Sequence, residues 1–550
     1  QKRINDRNFS VVNGLRRMQL LIASSRRNAT AIFARQDITS ARVRMVASDT
    51  TQIRRSPKHS QWSTRRFSSL PELESQDDGA EKRYLRKPGE GSWARGSFIR
   101  ERFGDTIEEN YDFLDTLTKS GGMSIVKGAL HKRTGKRVAI KIVGKSQSSD
   151  HVQALARESE FLKTTDHPNI VRLFEVFEDE EKLCLVLQFC SGGSLEDRIR
   201  SLHSNGQSFD QDELKDLTIS MLQAISYCHS NSIVHRDIKP SNFMFAPRLK
   251  LVDFGVSGIV PRSNPSTRLL QMETGTNGYI APEIMSKRKY GPSADMFSLG
   301  ATLMHMITGK TPVWLEAMGM YHFPKNPKLK TVLSVDGLNF FSSLLHKNPS
   351  KRPTASEALK HPWLAKDKEN EFKHLDENRK DILKRHSMRS KLQRCARTNY
   401  VVHSSLWEDH LVGIESEFCS MVQSSIGEIN YKELQSSLQL PTSLEAANLL
   451  QGLDADDSGT IAFSDWVVAS CPDDVFQDPT AARRAFDTLD SDGDGYISAK
   501  DLYSVLPGVF SEEEIFTEMM QHDLDGDGYI CFRDFRQLLE KEAPDAPLHM

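Results

Sequence analysis

Apolar runs of strand length alternate with charged and polar segments through the middle of the chain. Val138–Ile140, Leu183–Leu187 and the residues Leu249, Leu251 and Val252 are such runs, and each ends beside charged or turn-forming residues. The segment around Arg157–Leu162 lies between the first two runs and has a helical pattern. The pattern therefore predicts a part rich in strands that carries one helix, beginning near residue 110.

A different pattern begins after residue 365, where residues 365–415 are highly charged and helical in pattern. Four residues fall at i, i+4, i+7 and i+8, which is one face of a helix: Met388, Leu392, Cys395 and Ala396. Cations surround this face, namely Lys384, Arg385, Arg389, Lys391, Arg394 and Arg397. A basic amphipathic helix is typical of calmodulin targets, and a solvated connector is the alternative.

Composition limits the class of protein. A chain of 550 residues predicts more than one domain, and a net charge of −2 excludes a nucleic-acid footprint over the whole chain. Apolar runs are too short to cross a bilayer, so we expect no transmembrane segment. The seven scattered Cys form neither a disulfide framework nor a zinc pattern, which favours a reducing, intracellular setting.

The N-terminal segment, residues 1–105, is rich in Arg, Ser and Thr and has few acidic residues before Leu70. This composition predicts a disordered basic extension. It is also compatible with an organellar transit peptide. We expect a cytoplasmic protein, with organellar targeting as the alternative.

The stretch Val234–Gly255 carries the chemistry of phosphoryl transfer. Asp237 can position a hydroxyl and accept its proton, and Lys239 can neutralise the transferring phosphoryl group. Asn242 and Asp253 are suited to hold Mg²⁺ across the phosphates. The string matches the signature H-R-D-x-K-x-x-N followed by D-F-G, and it therefore resembles the eukaryotic protein kinases.

The resemblance implies a bilobal α+β fold with ATP and Mg²⁺ as cofactors. Lys141 in V-A-I-K pairs with the phosphates in this family, and Glu158 is its expected ion-pair partner, with Glu160 as the second choice. Leu187 takes the gatekeeper position, and the hinge that binds adenine includes Gln188 and Cys190.

The glycine-rich loop departs from the family pattern. Family spacing places its Val at Val126 and its three glycines at Lys119, Gly121 and Ser124, so only one of the three is Gly. Glycines allow the backbone to approach the phosphates closely. We therefore expect weaker or altered nucleotide binding.

Further kinase motifs follow the catalytic stretch. Glu283 in A-P-E should pair with Arg352, and Asp295 marks the start of a family helix. Basic-directed relatives carry carboxylates where this chain has Ser194 and Ser241. We therefore expect a weaker preference for Arg three residues upstream of the phosphorylated residue than is usual in this family.

Three segments of the C-terminal region repeat with the spacing of EF-hand calcium loops. Positions 1, 3, 5, 7 and 12 of such a loop supply the oxygens, and Gly at position 6 makes the turn. The expected ligands are Asp454, Asp456, Ser458, Thr460 and Asp465; Asp490, Asp492, Asp494, Tyr496 and Asp501; and Asp523, Asp525, Asp527, Tyr529 and Asp534. Position 12 is Asp in each loop where Glu is usual, so we expect reduced calcium affinity or reduced selectivity for calcium over Mg²⁺.

A fourth, degenerate copy of the loop runs from Val422 to Glu433. It keeps Gly427, Ile429 and Glu433, but residues at its ligand positions cannot hold calcium. We expect this hand to survive as a structural partner.

The whole arrangement resembles the calcium-dependent protein kinases of plants and protists. We expect an N-terminal extension (1–105), a kinase domain (106–364), an autoinhibitory junction helix (365–415), four EF-hands (416–541, the first degenerate) and a tail (542–550). The resemblance implies a calcium-activated serine/threonine kinase in which contact between the hands and the junction relieves autoinhibition. A calcium-sensing pseudokinase scaffold and a calcium buffer with a vestigial kinase are the alternatives.

Overall fold

The computed structural model describes residues 93–120, 124–146, 148–260, 275–315, 320–322, 333–365, 375, 377–404, 411–422 and 427–540. Residues 1–92, Gly121, part of the expected junction and residues 541–550 therefore lie outside the described residues. Residues 423–426 of the degenerate loop also lie outside them. Within the described residues, no helix is long and apolar enough to cross a membrane.

A six-stranded sheet forms the first part of the kinase-like region. Its strands lie in the order β1-β5-β6-β4-β3-β2, with β1 parallel to β5 and the other neighbours antiparallel. The strands are β1 (Arg100–Phe103), β2 (Tyr111–Ser120), β3 (Ser124–His131), β4 (Arg137–Gly144), β5 (Leu173–Glu178) and β6 (Lys182–Gln188). Helix α1 (Ile107–Asn110) precedes β2, and α2 (Ser149–Thr164) lies between β4 and β5.

The sheet begins earlier than the sequence predicted. Residues 93–105 were assigned to the basic extension, but β1 pairs with β5, and a 3-10 helix at Arg95–Phe98 precedes it. The reason is the burial of three apolar side chains in this segment, those of Trp93, Phe98 and Ile99. The N-terminal boundary near residue 105 is therefore too late by at least the length of this segment.

Helices and short strands form the second part of the kinase-like region. The helices are α3 (Leu195–Ser204), α4 (Gln211–Ser230), α5 (Pro282–Met285), α6 (Ser293–Thr308), α7 (Val335–Leu344) and α8 (Ala355–Leu359). The strands are β7 (Ile233–Val234), β8 (Phe243–Ala246), β9 (Arg248–Leu251), β10 (Gly258–Ile259), β11 (Val313–Leu315) and β12 (Met320–His322). Strands β8 and β9 form a hairpin directly after the catalytic motif.

The described part of the junction contains two helices, where the sequence predicted one. Helix α9 (Glu377–Ser387) ends before Met388, and α10 (Lys391–His403) starts behind the N-cap Ser390. Ser390 and Gln393 form a capping box, which favours a new helix start over continuation. Met388 is therefore exposed, whereas Leu392, Cys395 and Ala396 are buried as expected.

Helices dominate the C-terminal region. They are α11 (Val412–Met421), α12 (Tyr431–Leu438), α13 (Ser443–Leu453), α14 (Phe463–Ser470), α15 (Pro479–Leu489), α16 (Ala499–Val505), α17 (Glu512–Met520) and α18 (Phe532–Glu540). Strands β13 (Tyr496–Ile497) and β14 (Ile530–Cys531) join the last two loops. Ile429 and Ile461 exchange backbone hydrogen bonds of 3.1 and 2.8 Å, so the degenerate loop pairs with the first intact loop.

One hydrophobic core connects the sheet with the helices that follow the kinase-like region. Phe177 and Val186 of the sheet belong to the same buried cluster as Tyr400 of α10 and Trp466 of α14. Helix α10 is buried around most of its surface, including Arg397 and Asn399. The C-terminal helices therefore cover one side of the sheet.

Candidate active site and calcium loops

A lysine between two carboxylates lies at the edge of the sheet. Lys141 Nζ on β4 lies 2.6 Å from Glu158 Oε2 on α2 and 2.7 Å from Asp253 Oδ1. Burial alone would lower the pKa of Lys141, but the Glu158 and Asp253 charges together outweigh it and raise the pKa. Glu160 instead pairs with Lys163 at the surface, so the structure selects Glu158 of the two candidates.

The catalytic motif forms a tight hydrogen-bonded cluster around Asp237. Its Oδ2 lies 2.7 Å from Lys239 Nζ and accepts a hydrogen bond from Asn242 Nδ2 at 3.1 Å. Asn242 Nδ2 also donates to the Asp237 carbonyl at 2.8 Å. The motif residues are therefore brought together as the sequence predicted.

Buried Asp295 fixes the backbone of this motif. Its carboxylate accepts hydrogen bonds from the backbone N–H groups of His235 and Arg236, both at 2.8 Å, and lies 2.9 Å from His229 Nε2. Arg236 and Asp253 both have positive φ, 69° and 66°. Such left-handed conformations in residues other than glycine are strained and cluster at functional sites.

The expected nucleotide-binding residues line β3, β4 and the end of β6. Val126 pairs with Lys141 across β3 and β4, and Leu187 pairs with Ala139 across β4 and β6. Gln188 is buried and its backbone N–H donates to the Arg172 carbonyl at 2.9 Å, while Cys190 is half-buried. The central position of the altered glycine loop, Gly121, lies outside the described residues.

The two C-terminal calcium loops gather carboxylates as expected. One carboxylate oxygen from each of Asp490, Asp492 and Asp494 lies within 4.8 Å of the others, and the same holds for Asp523, Asp525 and Asp527. Gly495 N–H donates to Asp490 Oδ2 at 3.0 Å, and Gly528 N–H donates to Asp523 Oδ2 at 2.7 Å. Three clustered carboxylates fit a hard divalent cation such as calcium.

Position 12 of these loops is engaged in hydrogen bonds that hold the start of the next helix. Asp501 Oδ1 accepts from Ser491 Oγ at 2.6 Å, and Oδ2 accepts from Ser498 Oγ at 2.5 Å. Asp534 Oδ2 accepts from the Cys531 N–H at 3.0 Å. Tyr496 and Tyr529, at position 7, have exposed side chains, as expected where only the carbonyl serves as a ligand.

The first intact loop lies against the kinase-like region. Asp166, between α2 and β5, accepts a hydrogen bond from the Ser464 N–H at 2.8 Å.

Burial raises the pKa of Asp454 to about 6, and the hydrogen bond with Asp456 adds to this shift. Burial also raises the pKa of Asp465, with the nearby Asp456 and Asp166 charges adding to the shift. Ser458 Oγ and Thr460 O, also expected ligands, are hydrogen-bonded to each other at 3.0 Å.

Comparison with known proteins supports both halves of this arrangement. Residues 117–364 match the protein kinase domain family, and residues 479–540 match the EF-hand domain pair. Calcium-dependent protein kinase 7 of Arabidopsis thaliana is 28% identical over 457 residues, which cover 78% of this chain and 82% of that protein. Calcium-dependent protein kinase 5 of Plasmodium falciparum is 29% identical over 420 residues, which cover 73% and 72%.

The chain therefore contains a protein kinase domain and an EF-hand pair, and over most of its length it is similar to calcium-dependent protein kinases. Sperm motility kinase 2B of Mus musculus is 35% identical, but over 272 residues only, which cover 47% of this chain. The expected function, a calcium-regulated serine/threonine kinase, is thereby confirmed, and the comparisons do not favour the pseudokinase scaffold. The kinase family implies ATP and Mg²⁺, and the EF-hands imply Ca²⁺.

Sequence reasoning missed one residue of this kinase's catalytic cluster. Thr276 Oγ1 donates to Asp237 Oδ1 at 2.7 Å and accepts from Lys239 Nζ at 2.8 Å. Thr276 lies five residues before the motif Ala281-Pro282-Glu283. This distance from the motif is the sequence signal that could have identified it. The expected pair of Glu283 with Arg352 is present, with distances of 2.6 and 2.8 Å.

The space next to Lys141 suits a phosphate chain with its metal. A Cβ placed on Gly255 would come within 3.4 Å of Asp253 Oδ1 and of Glu158 Oε2, so the missing side chain keeps this corner open. One cation, two carboxylates and the nearby Asn242 amide are the donor types that Mg²⁺ and phosphate oxygens require. The residues therefore fit the cofactors that the family implies.

Proposed function

We propose that Asp237 is the group that orients the substrate Ser or Thr hydroxyl and accepts its proton. The observation that carries this proposal is the cluster in which Lys239, Asn242 and Thr276 all contact the Asp237 carboxylate. Three fixed contacts leave the carboxylate little rotational freedom, and a fixed orientation is what a general base needs. Lys239 adds a positive charge beside the reacting hydroxyl.

The same proposal assigns the remaining motif residues to the nucleotide. Lys141 binds the α- and β-phosphates, Glu158 holds Lys141 in place, and Asn242 and Asp253 hold Mg²⁺. Val126, Leu187, Gln188 and Cys190 would enclose the adenine and the phosphates, while Gly121, the remaining candidate, lies outside the described residues. Bound Mg²⁺ would neutralise charge that develops on the phosphates, while the protein supplies the positioning.

We further propose that contact between the hands and the junction is the regulatory device. Arg389 and Arg397 donate to Asp473 Oδ1 at 2.6 and 2.7 Å, and Arg397 also donates to the Leu539 carbonyl. Glu518 accepts hydrogen bonds from the backbone N–H groups of Lys391 and Leu392, at 3.1 and 3.2 Å. The hands therefore bind the basic face and the N-terminus of α10.

Release of autoinhibition follows from this contact. Helix α10 is held between the hands and the segment before the sheet, where Trp93 Nε1 donates to Thr398 Oγ1 at 3.3 Å. A junction held there stays away from the cluster around Asp237. We infer that this arrangement is the active form of the enzyme. Loss of calcium would loosen the hands and free the junction to inhibit the kinase.

The chain would then divide near the boundaries expected from the sequence, with the kinase part already including the segment from Trp93 to Asp105. We propose an intracellular, cytoplasmic enzyme that acts on protein substrates. The Arg-rich N-terminal segment leaves organellar targeting as an alternative.

Transfer of radiolabelled phosphate to a protein substrate, with calcium and with chelator, tests the proposed function. We expect calcium-stimulated transfer that falls by orders of magnitude in Asp237→Asn. Asp212→Asn, which changes an exposed carboxylate on α4, should keep full activity. Absence of transfer in the intact protein would favour the scaffold, and transfer indifferent to calcium would contradict the regulatory part.

A further inference from the structure

The C-terminal end of α2 is bound by a side chain from outside the helix. Buried Arg95, on the 3-10 helix before β1, donates from Nη1 to the carbonyl of Thr165, the C-cap residue of α2, at 3.3 Å. Its Nη2 donates to the carbonyl of Leu173 at the start of β5. The last carbonyls of a helix lack partners within the helix, and a positive charge beside them is favourable. One guanidinium therefore joins the end of α2 to β5.

The backbone around Arg95 lies directly against the same helix end. A Cβ on Gly96 would come within 2.5 Å of the Lys163 carbonyl oxygen, so this close approach requires glycine. The side chain of Lys163, in the last turn of α2, forms an ion pair with Glu101 on β1. The 3-10 helix and β1 therefore hold the last turn of α2 through both its backbone and a side chain.

The start of this segment is bound to the first intact calcium loop. The Trp93 N–H donates to the carbonyl of Ala455, the second residue of that loop, at 3.0 Å. Asp166, directly after α2, accepts from the Ser464 N–H near the end of the same loop. Burial lowers the pKa of Arg95, and the nearby Asp166 charge opposes this shift. The end of α2 is therefore linked to the loop by two routes, through residues 93–95 and through Asp166.

Helix α2 carries Glu158, the partner of Lys141. Glu158 precedes the C-cap Thr165 by two turns, which is about 10 Å along a helix. Its buried carboxylate lies 2.6 Å from Lys141 Nζ. A helix moves as one element, so a shift at its C-terminal end displaces Glu158 as well. Misplacement of a catalytic group by about 1 Å can lower a rate by about 100-fold.

We propose that Arg95 is a positioning residue for catalysis, which fixes the end of α2 so that Glu158 holds Lys141 beside the phosphates. This proposal rests on the kinase activity and on the role proposed above for Lys141. It adds a route by which the first intact calcium loop acts on the catalytic site, because residues 93–95 connect that loop with α2. Arg95 acts through Glu158 and not by contact with the nucleotide.

Kinetics of the full-length protein in calcium, with varied ATP and varied peptide, provide the first test. In Arg95→Met the KM for ATP should rise roughly tenfold, the effect of about 1.4 kcal/mol, while the KM for the peptide stays the same. Arg95→Lys keeps the charge but not the planar fork that reaches two carbonyls, so its rise should be smaller. A variant that is only less stable would contain less active enzyme, which lowers kcat and leaves the KM for ATP unchanged.

Hydrogen exchange of the α2 amides, with calcium and with chelator, tests the same role without phosphate transfer. In the intact protein the C-terminal half of α2 should exchange more slowly with calcium than with chelator. In Arg95→Met it should exchange fast in both conditions, because the helix end is no longer bound. Arg133→Met is the matched control, since it breaks an exposed ion pair with Asp487 on α15, 3.3 Å long, and should behave like the intact protein.

Two results would overturn the inference: an unchanged KM for ATP in Arg95→Met, or α2 exchange in that variant that depends on calcium as in the intact protein. If Arg95→Met does not fold, Arg95→Lys decides, and a KM for ATP equal to that of the intact protein contradicts the role. Failure of the intact protein to transfer phosphate would instead refute the proposed function. Binding of ADP would then replace the KM for ATP, so the two failures are distinguishable.

Discussion

At the scale of single residues, Thr276 links Asp237 and Lys239, the two groups that we propose act on the substrate hydroxyl. It donates to Asp237 and accepts from Lys239, so one hydroxyl sets the relative position of a carboxylate and an ammonium. We predict that Thr276→Val lowers kcat about 10- to 100-fold, the range expected when a charge-assisted hydrogen bond is lost. The KM for ATP should change little, because Thr276 contacts neither Lys141 nor Asp253 in these hydrogen bonds.

Steady-state kinetics with varied ATP and varied peptide check this prediction. Thr276→Ser keeps the hydroxyl and should recover most of the activity. A Thr276→Val enzyme with normal kcat would show that Lys239 and Asn242 suffice to hold Asp237.

Motif residues could be placed from the sequence because their chemistry fixes their spacing. Lys141, Glu158, Asp237, Asn242 and Asp253 all lie where the motifs predicted. Thr276 was missed because its distance from Ala281-Pro282-Glu283 is its one signal in the sequence, and neither periodicity nor composition adds to it.

At the scale of elements, a buried ion pair fastens α11 to the kinase-like region. Lys250 Nζ on β9 lies 3.1 Å from Glu415 Oε1 on α11, and the two side chains are 1% and 5% exposed. We predict that Glu415→Ala lowers the free energy of unfolding by roughly 3–5 kcal/mol, because it leaves the buried charge of Lys250 without its partner. Burial already lowers the pKa of Lys250, which is consistent with a low-dielectric setting.

Urea unfolding and hydrogen exchange of α11 measure this cost. Lys250→Met combined with Glu415→Leu should recover most of the loss, since replacing both charges with apolar side chains is often neutral. Glu540→Gln breaks the exposed ion pair with Arg536 and should lower the free energy of unfolding by less than about 1 kcal/mol. A single Glu415→Ala variant as stable as the intact protein would show that α11 is held by packing alone.

The calcium loops give a prediction of stoichiometry. We predict three bound calcium ions, with the loop that starts at Asp454 the weakest, because Ser458 replaces a carboxylate and burial raises the pKa of Asp454. Sensor loops bind at about 10⁻⁷–10⁻⁵ M, and Asp at position 12 should place these loops at the weak end. Asp501→Glu should tighten its loop, because the longer side chain can reach the ion.

Calorimetric titration of the calcium-free protein tests this prediction. Asp490→Ala and Asp523→Ala should each remove one site. Four sites, or no binding in the two C-terminal loops, would contradict the ligand assignment.

Some element boundaries followed from the sequence and others did not. Pairing of the degenerate loop with its neighbour was expected, because hands pack in pairs, and Ile429 and Ile461 carry it. The break between α9 and α10 was missed, although the Ser390 and Gln393 capping box is readable in the sequence. Strand β1 was missed because its three residues of alternating charge, followed by Phe103, resemble the basic extension, and the strand is revealed by its pairing with β5.

At the scale of the whole molecule, the kinase-like region and the C-terminal helices share buried polar contacts as well as a core. Glu175 on β5 accepts from Tyr111 Oη at 2.9 Å and lies 3.4 Å from Arg484 Nη2 on α15. Burial would raise the pKa of Glu175, but Arg484 and Arg102 together lower it to about 2. The contact between Glu175 of the sheet and Arg484 of the C-terminal helices joins residues more than 300 positions apart in the sequence. No local pattern in the sequence could therefore predict it.

Two buried histidines at this boundary give the last prediction. His403 on α10 lies 3.1 Å from Thr488 Oγ1 on α15, and a Cβ on Gly427 of the degenerate hand would touch His167 at 3.2 Å. Burial lowers the pKa of both to about 3, and Arg484 adds to the shift of His403. Between pH 6.5 and 3 the unfolded chain therefore binds more protons than the folded protein, so stability falls as the pH is lowered through this window.

From pH 6.5 to pH 5 each histidine should cost about 2 kcal/mol of folding free energy, at 1.36 kcal/mol per pH unit. Glu175 does not contribute in this range, because its loss of stability begins only as the pH falls through the ordinary carboxylate range. Urea unfolding at pH 7 and pH 5 measures the difference, and His403→Gln and His167→Gln should each make it smaller by about 2 kcal/mol. His322→Gln, at an exposed position, should leave the pH dependence unchanged. An unaltered pH dependence in His403→Gln would mean that protonation of this histidine is compensated within the fold, most directly by Glu175, whose charge faces it.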